Sequence, residues 1–395
     1  MGKNSDGNAI RKLLNDLMKL YDDLKRGVIS DLAGCTVPTG GLSILLGYGP
    51  RIFQLKNIKR SIPKDFERSQ FLAPTKQGGP LLSGSGLKYS SELHENLNLT
   101  NDIMIQFIGK TQLSVNRAIV ETLYKLKVLD PSGQFLRFNK FYTGFQRDDG
   151  RSWMGFHDEI SNMKNAKERL QAIAIDRIHN RLNPRDLWTE GGTYIAFLRI
   201  EVNLDNWRKI GQKNQEFIIG RDKVTGRPLI GVNKKGDPVT GTGPTASSVS
   251  FYDTRFHEHP NYFKEVPARS RPNMSLDLDL SSTILSQSHV GRSRHLDDID
   301  SSDPTSRRIF RQGFEFLEFA DGRNLKKFRL GLNFISFQND PGRLFFILTH
   351  PDWMGNTNFG GIRNRRTNNL LSVLAAGVFF VPPVELPFAG SSIFM

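Results

Sequence analysis

Two segments in which apolar residues recur at alternate positions constrain the fold of this chain most strongly. Residues 193–202 alternate in this way, and residues 102–109 are apolar on one face and nearly so on the other. Such segments favour strands in a sheet that is covered on both sides. Apolar residues at helical spacing follow the first of these segments over residues 204–210 and the second over residues 112–127. The repeated order of strand and helix predicts an α+β fold.

Several other segments have a regular apolar pattern. It predicts a helix at 9–25, strands at 43–47, 328–337 and 344–348, and a buried apolar segment at 370–381. Two polar stretches rich in Gly, Ser and Pro, 76–91 and 234–248, indicate surface loops or insertions. We therefore expect two sequential α+β halves that meet within residues 165–190, rather than one large doubly wound sheet.

The composition is that of a globular chain, because 38% of the 395 residues are hydrophobic and 24% are charged. The single cysteine, Cys35, excludes an intramolecular disulfide and a cysteine-rich zinc module. The first ten residues are polar, and the longest apolar run is shorter than the about 20 residues that a membrane helix needs. We therefore expect a cytoplasmic protein without a membrane partner.

An excess of basic residues gives the chain a formal net charge of +14. A surface of this charge attracts anions, so a protein that binds nucleic acid or another polyanion is one alternative, and the basic run at 363–366 supports it. The run is not accompanied by a helix-turn-helix pattern or by a platform of aromatic and basic residues. The sequence therefore does not favour a nucleic-acid partner.

Two groups of histidines are candidates for a metal site. His257 and His259 would lie on one face of a strand, but no acidic or histidine partner follows at a recognisable spacing, so a solvated loop is the preferred interpretation. His289 and His295 lie in a stretch of serines and arginines. A histidine in such a stretch is a weak signal by itself, and a functional assignment needs a second anchor.

The second anchor is the stretch Gly155-Phe-His-Asp158, a tight turn that carries a carboxylate and is followed by Asn162. Here the chain resembles the dye-decolourising peroxidases, whose signature is a GxxDG turn within a stretch like GFxDGxxNP. Four more stretches resemble that family in the same order: a strand at 191–200, the IGRxKxxGxP loop at 219–228, the distal arginine segment at 309–314, and the penultimate strand and turn at 331–341. This ordered set spans most of the chain and is far more specific than any single motif.

The resemblance implies two sequential ferredoxin-like domains in a dimeric α+β barrel-like arrangement, with antiparallel sheets, peripheral helices, and haem b (iron protoporphyrin IX) between the domains. We expect a helical extension at 1–40, a first domain at 41–170 with the distal carboxylate, and a second domain at 190–395 with the iron ligand. The implied enzyme is a haem peroxidase that uses hydrogen peroxide to oxidise bulky organic reductants such as dyes and phenolics. A homo-oligomer remains open.

The resemblance assigns roles on both sides of the haem. His289 matches the proximal iron ligand, although the sequence does not separate it from His295. Peroxide must lose the proton on the oxygen that binds iron and gain one on the oxygen that leaves, so one base can serve both steps, and Asp158 is the candidate. Arg311 matches the group that stabilises the charge developing on the departing oxygen.

Three further residues complete the cofactor site that the resemblance implies. Haem propionates need cationic partners, and Arg221 and Arg292 are the candidates, the first in the IGRxK loop and the second near the proximal histidine. Asn162 of the signature turn is assigned to the same site.

Three positions depart from the family pattern. The last glycine of the GxxDG turn is Glu159, the arginine usual two places after the proximal ligand is Gly291, and the acid that usually accepts a hydrogen bond from the proximal ring is replaced by Asn369. A side chain at 159 alters the turn, and an amide is a weaker acceptor than a carboxylate. A haem-binding relative with weak peroxidase activity is therefore a second alternative.

Overall fold

The computed structural model describes most of the chain. It covers residues 5–67, 81–83, 86–88, 102–157, 162–163, 165–221, 223, 230–232, 238–240, 289, 309–319, 328–344 and 370–394. The helices are α1 (Gly7–Lys25), α2 (Lys64–Glu67), α3 (Gln112–Leu129), α4 (Ala166–Ile173), α5 (Leu204–Lys209) and α6 (Gln212–Ile219), with 3-10 helices at Pro50–Gln54, Pro184–Thr189 and Ser391–Phe394. The strands are β1 (Ser43–Tyr48), β2 (Leu81–Ser83), β3 (Gly86–Lys88), β4 (Ile103–Ile108), β5 (Thr193–Val202), β6 (Ile230–Val232), β7 (Pro238–Thr240), β8 (Phe310–Phe319), β9 (Phe328–Gln338) and β10 (Leu371–Val381).

One antiparallel sheet organises the described part of the chain. Its six strands lie in the order β4-β1-β10-β5-β9-β8, and β2–β3 and β6–β7 form separate short hairpins. Strand β5 pairs with β10 on one side and with β9 on the other. Strand β1 joins the sheet where Tyr48 pairs with Phe380 of β10, so strands from both predicted halves belong to the same sheet.

The sheet buries apolar side chains on both faces, as its strand sequences predict. One face, which we call the site face, carries Tyr194, Ala196, Leu198 and Ile200 of β5. The opposite face carries Ile195, Ile335, Phe337 and Phe379. Successive residues of a strand point to opposite faces. These two sets therefore show to which face each remaining residue of β5, β8 and β9 belongs.

Helix α1 packs its apolar stripe against α3 and the strands β1 and β4. The helix begins at an aspartate cap, because an Asp6 carboxylate oxygen accepts a hydrogen bond from the Ala9 N–H at 2.8 Å. Within the interface the Tyr21 hydroxyl and Thr122 Oγ1 lie 3.1 Å apart and are hydrogen bonded. Burial raises the pKa of Tyr21 well above its usual value, which is the behaviour of a phenol inside a core. The predicted helical extension is therefore a part of the core.

The α+β class and the antiparallel sheet are confirmed. The strands expected at 43–47, 102–109, 193–202 and 328–337 and the helices expected at 9–25, 112–127 and 204–210 are all present, with ends that differ by a few residues. None of the helices in the described ranges combines the length and the apolar character needed to cross a membrane. The division into domains at 41–170 and 190–395 stays a prediction.

Two expectations differ from the structure. The polar stretches at 76–91 and 234–248 contain strands of the two short hairpins rather than loops alone. Leu344 lies in a helical turn instead of beginning a strand, and 345–348 lie outside the described residues. Strand β8 has no regular alternation at its start, because Arg311-Gln-Gly313 interrupts the apolar pattern, so its sequence indicates a motif but not a strand.

We expect Leu14→Ala to lower the free energy of unfolding by about 2–5 kcal/mol, because Leu14 is fully buried and its removal leaves a cavity between α1 and the sheet. Thermal unfolding of the purified protein measures the change. Lys12→Ala on the exposed side of the same helix is the control and should shift stability by no more than about 0.5 kcal/mol. Equal effects of the two substitutions would contradict the packing of α1.

Candidate functional site

The side chain of Asn162 connects the signature turn to strand β8. Its Nδ2 atom donates a hydrogen bond to the Arg311 carbonyl oxygen at 2.6 Å, and its Oδ1 atom accepts one from the Arg311 N–H at 3.1 Å. Asn162 is buried, so the pairing is shielded from water. Strand β8 is an edge strand of the described sheet, and a primary amide here satisfies its free backbone groups as a neighbouring strand would.

The same edge of β8 is covered further along by the segment that precedes the turn. Phe145 and Glu315 exchange two backbone hydrogen bonds, at 2.9 and 2.7 Å. Asn333 of β9 donates a side-chain hydrogen bond to the Thr143 carbonyl at 2.9 Å. The chain from 143 to 162 is therefore attached to β8 and β9 on both sides of the signature turn.

Arg151 closes the turn and ties it to the IGRxK loop. Its Nη1 atom donates to the carbonyl oxygens of Gly155 and Lys223, each at 2.7 Å. Gly155 has φ of +87°, and a Cβ atom there would lie 2.7 Å from Lys223 Cε. The left-handed backbone conformation favours glycine at this position, and a side chain here would also displace the end of Lys223.

A second layer of polar contacts holds this turn against α5 and α6. The fully buried Trp207 donates from Nε1 to the Met154 carbonyl at 3.0 Å. Gln215 donates to the Trp207 carbonyl at 2.7 Å and accepts from Lys223 Nζ. The turn and the IGRxK loop therefore share one hydrogen-bonded network with the two helices.

His289 carries the most strongly perturbed histidine pKa among the described residues. Its Nδ1 atom is buried, and burial, together with the positive charges of Arg311 and Arg221, lowers the pKa of the imidazole to about 3. The ring is consequently neutral over the physiological range and keeps a nitrogen lone pair for a metal ion. The three residues lie within electrostatic reach of one another although they come from distant parts of the sequence.

The site face of β8 and β9 bears several polar side chains beside apolar ones, among them the buried Glu315. Arg311 lies on this face, and its guanidinium makes no hydrogen bond or ion pair with a described residue. Ser336 and Gln338 of β9 share the face and are fully buried, and neither side chain has a hydrogen-bond partner in the described part of the chain. Buried polar groups without partners are rare in proteins, so they mark this face as a place for a ligand.

The structure brings together four of the six predicted site residues. His289, Arg221 and Arg311 interact electrostatically, and Asn162 binds the backbone of Arg311. Both hydrogen-bonding atoms of the Asn162 amide are engaged in that contact, which makes Asn162 a positioning residue for β8. Outside the described residues lie Asp158, Arg292, His295, the three departures at 159, 291 and 369, and the pair His257 and His259.

Sequence reasoning missed Arg199, a buried cation on the opposite face of β5. It donates to Asn333 Oδ1 at 2.7 Å, pairs with Glu318 at 2.7 Å, and stacks over the Phe316 ring with its guanidinium carbon 3.6 Å from the ring centre. These contacts compensate the buried positive charge of Arg199, and they link β5 to β9 and β8. Its only sequence signal is one arginine within an apolar strand.

Comparisons with known proteins agree on one family. The family model described as Dyp-type peroxidase, C-terminal, matches residues 149–386, more than half of the chain. A deferrochelatase from Shigella flexneri serotype 5b is 28% identical over 132 residues, which cover 32% of this chain and 31% of that relative. The match therefore spans about a third of the curated relative's length.

Two solved structures show the same fold at low identity. A DyP-type peroxidase from Streptomyces coelicolor superposes with a TM-score of 0.65 at 18% identity, covering 100% of this chain and 90% of that one. A variant of DypB from Rhodococcus jostii RHA1 in complex with heme gives a TM-score of 0.53 at 17% identity, covering 97% and 91%. At this level of identity the two likenesses establish the fold of the chain.

We expect Asn162→Ala to destabilise the protein by about 1–3 kcal/mol, because it leaves a buried N–H and a buried carbonyl of Arg311 without partners. Thermal unfolding checks the value. Asn116→Ala, at an exposed position of α3, is the matched control and should change stability by no more than about 0.5 kcal/mol. An Asn162→Ala protein as stable as the control would refute the importance of this contact.

The pKa of His157 is lowered to about 4, chiefly by burial and further by Arg151. An unfolded histidine has a pKa near ~6.5, so between these values the unfolded chain binds more protons than the folded chain. Stability should therefore fall as the pH drops from about 6.5 to about 4, and less steeply in His157→Gln. Melting temperatures of the haem-free protein across this range test it, and identical profiles for the two proteins would contradict it.

Proposed function

Because this chain belongs to the Dyp-type peroxidase family through its C-terminal domain, we propose that it binds haem b and uses hydrogen peroxide to oxidise organic reductants such as dyes and phenolics. One observation carries the proposal. A neutral, desolvated histidine lies within electrostatic reach of an arginine whose guanidinium has no partner among the described residues, in a chain where the family places a proximal ligand and a distal cation.

The residues present fit an iron porphyrin. The His289 imidazole is kept neutral by burial and by two arginines, which is the state that binds a metal. The apolar side chains of the site face suit the porphyrin ring, and Arg311 keeps its charge uncompensated within the described residues. The relative from Rhodococcus jostii was crystallised in complex with heme, which supports the same cofactor for this chain.

Haem, when bound, supplies the redox chemistry by which peroxide oxidises a second substrate. His289 would hold the group through its neutral imidazole. Arg221, a buried residue that follows the left-handed Gly220 at the end of α6, binds a propionate, and Arg292 binds the other. His295 is the alternative iron ligand, and the test below separates the two.

Asp158 would accept a proton from one oxygen of hydrogen peroxide and return it to the oxygen that leaves. Arg311, whose guanidinium makes no ion pair with a described residue, would stabilise the negative charge that develops on the leaving oxygen. Asp158 directly follows His157, whose backbone bridges to Arg151, and it precedes Asn162 by four residues. The contacts of the described residues on either side of position 158 support assigning Asp158 to the same site as Arg311.

We expect the haem-reconstituted protein to show a Soret band. The His289→Ala protein should lack this band or show the band of five-coordinate or free haem. His295→Ala should retain the wild-type spectrum, and His179→Ala, at an exposed position, controls for loss of an imidazole. A protein that does not bind haem, or one that loses its spectrum only with His295→Ala, would overturn the assignment.

Asp158→Asn should lower kcat for dye oxidation by about 10²–10⁴-fold, because the amide no longer accepts the peroxide proton. The Soret band should stay in place, since the substitution leaves the proximal side intact. Stopped-flow mixing with hydrogen peroxide measures the step directly. If kcat is unchanged while haem stays bound, another group carries the proton.

A further inference from the structure

Ser336 and Arg311 are register neighbours on the site face. The two residues pair across β8 and β9. Asn162 occupies the backbone N–H and carbonyl of Arg311, so these groups point away from β9 and the pair is of the non-hydrogen-bonded kind. In such pairs the side chains approach most closely, with Cβ atoms about 4.5–5.5 Å apart.

Neither side chain has a hydrogen-bond partner within the described ranges. The Ser336 hydroxyl is buried and makes no hydrogen bond with a described residue, and the Arg311 guanidinium makes none either. A hydroxyl offers one proton and two lone pairs, whereas a guanidinium offers only protons. The serine can therefore accept a hydrogen bond from Arg311 and at the same time donate its own proton to a third group.

The register neighbours of the pair are small. Ala196 pairs with Ser336 on the β5 side and bears only a methyl group. Gly313, the next residue of β8 on this face, bears no side chain. Gln338 is also buried and has no partner among the described residues, but its register neighbour on β5 is Tyr194, so it is not adjacent to the guanidinium.

We propose that the Ser336 hydroxyl and the Arg311 guanidinium form a two-point site for a small anion. Arg311 donates to the anion and to Ser336 Oγ, and Ser336 donates to the anion. The serine is thus a positioning residue that fixes the direction of the arginine and adds a second donor. The inference rests on the proposed function, because the anion it would bind is one that haem iron also binds.

The first test uses fluoride with the ferric haem-loaded protein, because fluoride accepts hydrogen bonds from distal donors and its binding is read from the absorption spectrum without turnover. Ser336→Ala should raise the Kd for fluoride about tenfold, which is the loss of affinity expected when a hydrogen bond to a charged group is removed. Ser336→Cys keeps a side chain of similar size, but its thiol is only a weak hydrogen-bond donor, so the Kd for fluoride should rise as it does in Ser336→Ala. Ile335→Val, on the opposite face of the same strand, is the control and should leave the Kd within about twofold of wild type.

A double-mutant cycle tests the link to the arginine. In an Arg311→Ala background, Ser336→Ala should change the fluoride Kd by less than about twofold, because the two groups act as one site. A tenfold loss in that background would show that the serine acts independently and would overturn the positioning role. Equal fluoride affinity of wild type and Ser336→Ala would overturn the site itself.

A haem-free measurement separates this inference from the proposed function. If the protein binds no haem, the proposed function fails, and the inference is decided by titrating the haem-free protein with formate. A rise in melting temperature in wild type that is lost in both Ser336→Ala and Arg311→Ala supports the anion site. The same rise in all three proteins overturns it.

Discussion

The amide of Asn162, paired with the backbone of Arg311, is the contact on which this arrangement depends. Strand β8 lies at the edge of the described sheet, so its outer N–H and carbonyl groups need partners from elsewhere. Asn162 and the segment around Phe145 supply them. The position of Arg311 is therefore fixed by a turn 149 residues earlier, and the two parts of the chain that the site needs cannot move independently.

The buried polar residues of the site face lower the stability of the fold. A sheet face that buries Ala196 and Leu198 would be most stable with apolar neighbours, yet β9 places Ser336 and Gln338 there, and neither has a hydrogen-bond partner among the residues that the structure describes. Each such group destabilises the protein in the absence of a ligand by about 1–3 kcal/mol. Natural proteins tolerate violations of this kind mainly at functional positions, because the missing partner arrives with the ligand.

Family membership and the particular residues of this chain answer different questions. The family match identifies the class of chemistry, whereas the described geometry indicates how this chain carries it out. Arg151 illustrates the difference, since one guanidinium nitrogen binds both the signature turn and the IGRxK loop. The two motifs are thus connected through one side chain, and a substitution of Arg151 should disturb both.

The sequence by itself determined the strands and helices with regular apolar spacing, because that pattern is local and each residue reports the face on which it lies. It also indicated His289, Arg221 and Arg311 as a set through ordered motifs. It did not indicate Ser336 or Arg199, because the importance of each depends on which residue stands opposite it in the next strand. Strand register joins residues far apart in the chain, so only the tertiary structure placed Ser336 beside Arg311 and Arg199 beside Asn333.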